Sequence, residues 1–268
     1  MAWVNLTFEG PIALIRDGVV RHVLRPVREA LLAAPWTGVV LLTAALAGLV
    51  RGAGLTLACA AMLGFIALSG TWDMAMTSLY LVAVSTAVAV LVGVPVGLAA
   101  SRGPRLDRAV TLGIDTLHTL PSFVYLIPVV MLFGLGDVPA MVAIVLYAMP
   151  AAIRYTKDGL ARVPPSIVEA AEMSGCTPRQ GLLHAQIPFA LPEIMLGISQ
   201  TVLLAFGMLV ITALVGTRGL EQEALVALSR AKVGDGPVAG LGISFLSIIA
   251  DRLIAHGSAR LRWRLGQA

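Results

Sequence analysis

Twenty-two consecutive residues, Leu79 to Ala100, contain no charged side chain. Few features limit a fold so tightly. As a helix such a run extends about 33 Å, enough to cross a hydrocarbon core of about 30 Å. A chain buried in lipid must satisfy its backbone polar groups internally, so helices are the expected element. The rest of the chain agrees. Only 13% of residues are charged while 58% are hydrophobic, and soluble domains carry about 25% charged residues. Too little charge remains to clothe a soluble surface. The apolar excess is aliphatic, since aromatics make up 6%. The net charge of +4 comes from basic residues lying between the apolar runs. That placement fits membrane orientation and not the basic stripe of a nucleic-acid-binding surface.

Read in order, the chain opens with an amphipathic stretch within residues 1–35. Ile12, Ile15, Val19, Val23 and Val27 alternate with Arg16, Arg21, Arg25 and Arg28, the pattern of a helix lying in the interface. No secretory signal is expected, because Glu9 stands where a basic segment would. Residues 36–71 hold two apolar stretches, Thr37–Val50 and Gly54–Ser69, split by Arg51-Gly52. Two short spans with a tight basic turn are expected, with one long kinked helix as the alternative. Further spans are expected over Leu79–Ala100, Leu120–Leu135, Ala140–Ile153, Ile194–Val215 and about 237–254. The fold class is therefore all-α integral membrane, with about seven transmembrane helices. Basic clusters at Arg102–Arg108, in the 154–188 segment and in the 257–268 tail mark the cytoplasmic side. The amino terminus then falls outside, although its own arginines count against that assignment.

The polar segment 164–188 interrupts this pattern. Pro164-Pro165-Ser166 opens a first short helix, with Ser166 and Glu169 at capping-box spacing. Thr177-Pro178 opens a second, and Gly175 sits at the corner between them. No catalytic constellation accompanies it: H-E-x-x-H, G-x-S-x-G and the G-x-x-x-x-G-K-[ST] phosphate loop are all absent from the sequence. Cys59 and Cys176 have no metal-ligand or disulfide spacing, so neither catalytic nor metal-ligating residues are expected. Asp115 and His118 lie one helical turn apart and are the nearest candidates for a pathway or gating role. Polar groups at a helix end are the plainer reading of the pair. A pore with no ion site and no engine must borrow free energy from a partner, and the 164–188 loop has the form of a handle.

Glu169-Ala170-Ala171, then Gly175, then Ile187-Pro188 resembles the cytoplasmic EAA loop of ABC importer permeases. Ala185 and Ile187 depart conservatively from that pattern. Leu120–Pro128, Met131–Gly134, Thr212–Leu220 and Ala250–Leu253 resemble the glycine betaine/proline branch, which transports quaternary amine osmolytes. The likeness covers about 72–256, read as the permease core. His118 and Glu221 depart from the branch, and 1–71 resembles it only loosely. The resemblance implies a type I importer permease in a bacterial inner membrane. Glu169, Ala170, Ala171, Gly175 and Pro188 would couple it to a cytoplasmic ABC ATPase subunit. A second permease subunit, a homodimer being expected, and an extracytoplasmic substrate-binding protein would complete the system. ATP would bind the ATPase partner, so this chain holds no cofactor. Phe123 and Tyr125, between Pro121 and Pro128, are candidates for lining the pathway. A stand-alone secondary transporter or channel, and a membrane scaffold, are the competing readings.

Overall fold

The computed structural model describes residues 10, 12–14 and 16–264, with side chains described among these except at 51 and 256–264. Residues 1–9 and the side chains of His256, Arg260, Arg262 and Arg264 in the basic tail lie outside the described residues. All elements among the described residues are helical. They are α1 (Arg25–Ala33, continuing a π-helical turn at Val20–Leu24), α2 (Trp36–Arg51), α3 (Ala53–Leu68), α4 (Trp72–Ala100), α5 (Pro104–Thr119) and α6 (Ser122–Phe133). Beyond these come α7 (Asp137–Ala161), α8 (Pro165–Met173), α9 (Pro178–Gly181), α10 (Ile187–Thr212), α11 (Leu220–Ser229) and α12 (Asp235–Arg264).

Among the described residues, four helical stretches are long and apolar enough to cross a membrane: α4, α7, the continuous run Pro178–Val215, and Asp235–Ala255 of α12. Two bent pairs raise the number to six if each is one span, with α3 as a shorter apolar helix beside them. One bent pair corrects the expectation of a span over Leu120–Leu135. Helix α6 has 12 residues, about 18 Å, and meets α5 at 94°. Pro121 forces this break: it is extended at ψ 136°, and a proline disfavours helical geometry in the residue before it. Ion pairs hold α5 against α7. Arg154 pairs with Asp115 at 2.7 Å, and Lys157 with Asp107. Lys157 also donates to Thr111 Oγ1 at 2.6 Å.

Residues 36–71 form a helical hairpin turning at Gly52. Thr56 Oγ1 donates to the Ala44 carbonyl across it at 3.4 Å. The hairpin packs on α12, where Phe65 meets Phe245 edge-on at 5.4 Å. It also returns the chain to the end where it began. The Arg28 guanidinium lies 6.0 Å above the Tyr80 ring, so α1 sits beside the start of α4, at the end opposite Arg102.

The centre of the molecule is α4, α7 and α10, brought together by small residues. Gly93 and Gly97 present a G-x-x-x-G face on α4. A Cβ on Gly97 would stand 2.7 Å from Thr156 Cβ and 2.8 Å from the Ile153 carbonyl; one on Gly93 would stand 2.8 Å from Ala152 Cβ. Small faces of this kind let membrane helices gain dispersion contacts that lipid cannot supply. At the Tyr80 end, polar bonds fasten the helix ends. Tyr80 donates to Asp137. Glu221, 1% exposed, accepts from Ser78 Oγ at 2.6 Å and from Gly219 N at 3.1 Å. Leu220 N donates to Ser78 Oγ at 2.8 Å.

Candidate functional site

The polar loop lies at the Arg102 end, on a small apolar base of its own. Leu160 and Val163 from the end of α7 and Ala190 and Ile194 from α10 are buried there. Ile167 and Val168 of α8 pack on them, with Leu182, Ile187 and Phe189 alongside. Helical periodicity then decides what is displayed. Positions 167 and 168 face the base, while Glu169, Ala170 and Met173 are exposed. Met173 is the extreme, 90% exposed.

Both ends of α8 are fixed by backbone chemistry. At its start, Pro164 is extended at ψ 137° and Pro165 takes the first helical position, where a missing N–H costs nothing. Ser166 is already inside the helix, and no side chain caps it. The capping box expected from Ser166 and Glu169 is therefore absent, which leaves the Glu169 carboxylate free of that local bond. At its end the helix closes in a Schellman motif. Gly175 N donates to the Glu172 carbonyl at 2.9 Å and Cys176 N to the Ala171 carbonyl at 3.1 Å. Gly175 adopts φ +77°, a left-handed conformation that costs an L-residue about 1–2 kcal/mol.

The expected second cap is present. Thr177 N donates to Gln180 Oε1 at 2.8 Å, and Gln180 N returns to Thr177 Oγ1 at 3.4 Å. The second short helix is not separate from the span after it, however. Helix α9 runs through a π-helical turn, Leu182–Gln186, into α10. In that turn Ile187 N reaches back five residues to the Leu182 carbonyl. Pro188 comes next and has no N–H, so the widened turn absorbs the interruption a proline makes in a helix. The whole run Pro178–Val215 has 38 residues, about 57 Å at helical rise, well beyond a bilayer core of about 30 Å. Its loop end therefore projects from the membrane as one body with a spanning helix. Helix α8 thus shares its apolar base with α7 and α10, and Arg162 at the end of α7 pairs with Glu193 of α10 at 3.1 Å.

The pathway candidates are not brought together. Phe123 is 51% exposed and Tyr125 8%, so one lies on the outer face of α6 and the other is packed inward. Asp115 is paired with Arg154. The His118 ring stands 6.3 Å from that of Tyr147. Neither residue reaches the loop. Sequence reasoning missed Met173, whose signal was a long apolar side chain in an otherwise polar helix face. It also missed the burial of Glu221, for which a polar residue just after a Gly-Leu pair gives no warning. Among the described residues, no group of three or more His, Cys, Asp or Glu could hold a metal ion.

Residues 89–263 match the family described as "Binding-protein-dependent transport system inner membrane component". The chain is 37% identical over 253 residues to the glycine betaine transport system permease protein OpuAB of Bacillus subtilis, covering 94% of this chain and 89% of that one. It is 38% identical over 244 residues to the trimethylamine N-oxide transport system permease protein TmoV of Ruegeria pomeroyi, covering 91% and 37%. It is 37% identical over 234 residues to the glycine betaine/proline betaine transport system permease protein ProW of Escherichia coli, covering 87% and 66%. The chain thus spans just over a third of the length of TmoV and about two thirds of ProW. Its fold is similar to that of the MetNI methionine ABC transporter in inward-facing conformations. That likeness has TM-score 0.60 at 23% identity, over 70% of this chain and 92% of the other.

Proposed function

The chain belongs to the family of binding-protein-dependent transport system inner membrane components, and from that premise we propose that it is the permease subunit of an ABC importer for quaternary amine osmolytes. The expected cargo is glycine betaine, proline betaine, choline or a similar solute. The relatives' names point to compact methylated amines. A separate cytoplasmic ATPase would supply the energy, an extracytoplasmic binding protein would deliver the solute, and a second copy of this chain would complete the pathway.

The observation that carries this reading is α8: a helix closed at its end by a Schellman motif, seated on an apolar base shared by α7 and α10, with Glu169, Ala170 and Met173 facing outward. An isolated helix of nine residues is not stable in water, so it is the base and the end geometry that keep this one rigid. Rigidity is what a transmission element needs. ATP binding would draw two such helices together, and each would rotate its spans as one body to exchange access between the two faces. The nucleotide must contact one state better than the other, or nothing shifts.

The test is solute uptake in proteoliposomes holding this chain, its ATPase and its binding protein. Uptake should require ATP, and Glu169→Arg and Gly175→Trp should abolish it while the protein stays folded in the membrane. Undiminished uptake in either variant sinks the coupling role. Ion-gradient-driven flux by this chain alone would establish a secondary transporter in its place.

A further inference from the structure

At the opposite end from α8, a cavity of about 510 Å³ opens between the amino-terminal helical segment and the core. Its volume lies within the range of small-molecule sites, about 300–1,000 Å³. Arg16, Arg28, Arg218, Thr77, Phe133 and Asp137 are among its lining residues, so three arginines and one aspartate border one space. A second cavity of about 330 Å³ shares Val20, Arg28 and Asp137 and is lined further by Leu24, Leu32 and Tyr80 and by Arg25 and Glu29, which pair with each other at 2.7 Å. Arg28 and Asp137 therefore stand where the two cavities meet. Arg16 is occupied by its neighbour Asp17 at 3.1 Å. The Arg28 Nε is buried with no hydrogen-bond partner. A buried charged donor without an acceptor is costly, and a bound anionic oxygen would remove that cost.

We propose that this cavity binds a small zwitterion, its anionic oxygen end held by Arg28 and Arg218 and its cationic nitrogen end beside Asp137. The presence of both signs selects the ligand class. A simple anion of this size meets the Asp137 carboxylate, and a simple cation meets the guanidiniums. A molecule carrying both charges a few ångströms apart meets each with its complement. Planar guanidinium forks suit a carboxylate, since two parallel N–H bonds can reach its two oxygens. The apolar wall formed by Leu24, Leu32 and Tyr80 in the adjoining cavity suits methyl groups. Two sources carry this chemistry: a betaine-type solute, which rests on the importer reading above, and a phosphatidylethanolamine headgroup.

The experiment measures binding of radiolabelled glycine betaine to the full chain in nanodiscs of phosphatidylglycerol alone, without ATPase or binding protein. Saturable binding is expected. Proline betaine should displace the label; choline, which lacks the anionic end, and acetate, which lacks the cationic end, should not. Arg28→Ala and Arg218→Ala should each weaken binding at least tenfold. Arg28 also packs on Tyr80, so the exposed loop residue Arg218 is the variant that leaves packing untouched. A second arm uses discs containing phosphatidylethanolamine. If glycine betaine fails to bind but this lipid is retained by the wild type and lost from Arg218→Ala, the headgroup is the occupant and the zwitterion site stands. If neither ligand binds, or if choline or acetate competes as well as glycine betaine, the proposal is overturned. Uptake by the reconstituted system is measured in parallel: uptake without binding sinks the cavity alone, and binding without uptake sinks the importer alone.

Discussion

Replacing Gly175 separates two roles that a glycine in the proposed docking loop can have. It can supply a left-handed backbone, or it can leave room for a partner. Its φ is +77°, and nothing lies within 4 Å of where its Cβ would stand. A substitution therefore meets no clash inside this chain, and the cost is conformational. Asn tolerates the left-handed region, and Gly175→Asn should cost a few tenths of a kcal/mol. A β-branched residue there is a true outlier, and Gly175→Val should cost about 2 kcal/mol or more. The Schellman bonds at 2.9 and 3.1 Å break first, because they depend on that φ. The last turn of α8, carrying Met173, then frays. Since 1.4 kcal/mol is a factor of about ten in an equilibrium constant, a cost of about 2 kcal/mol lowers affinity for the partner ATPase about thirtyfold. The assay is a titration of the ATPase onto this chain in nanodiscs, with thermal unfolding of the free chain as control. Val should weaken binding about thirtyfold and Asn less than threefold, with the unfolding midpoint of the spans unchanged. Equal losses in Asn and Val would refute the argument, because they would show that free space for the partner matters and the backbone conformation does not.

Other perturbations test other parts of the molecule. Met173→Ala removes a side chain that is 90% exposed; it should leave stability unchanged and weaken ATPase binding roughly tenfold, the cost of a modest interface anchor. Gly97→Leu forces a Cβ to within 2.7 Å of Thr156 Cβ; overpacking of this kind costs about 1–3 kcal/mol, read as a lower unfolding midpoint in detergent. Glu221→Ala leaves the Ser78 hydroxyl and the Gly219 N–H without their carboxylate acceptor, a loss of about 1–3 kcal/mol in the same assay. Asp115→Asn breaks a half-exposed pair with Arg154, worth a few tenths of a kcal/mol. Uptake should stay within twofold, and its abolition in a folded protein would restore Asp115 as a gate.

Much of this was legible in the chain because membrane insertion is a one-dimensional constraint. The run Leu79–Ala100, the Thr177-Pro178 cap and the Gly175 corner each depend on residues near in sequence, and each was found where expected. The failures came where the backbone had two local options. Ser166 and Glu169 have capping-box spacing, but Pro165 fixes the first helical position one residue earlier and takes Ser166 inside. Leu120–Leu135 is apolar enough to span, but Pro121 breaks it and α6 is too short to cross alone. Phe123 and Tyr125, both candidates for lining the pathway, lie two residues apart on a helix, about 200°, and so face opposite ways.

By itself, then, the sequence determined that this is a helical membrane protein with a rigid polar loop between two spans. Apolar length, proline and glycine act within a few residues, and no distant partner can alter them. Only the tertiary structure decided what that loop rests on and what it displays. Ile167 turns inward and Met173 outward because Leu160, Val163, Ala190 and Ile194 meet there from two other helices. Tertiary packing likewise buried Glu221 against Ser78, 143 residues away, and set Arg16, Arg28 and Arg218 around Asp137. Electrostatic and apolar complementarity act through space, and separations of about a hundred residues leave no periodicity to read.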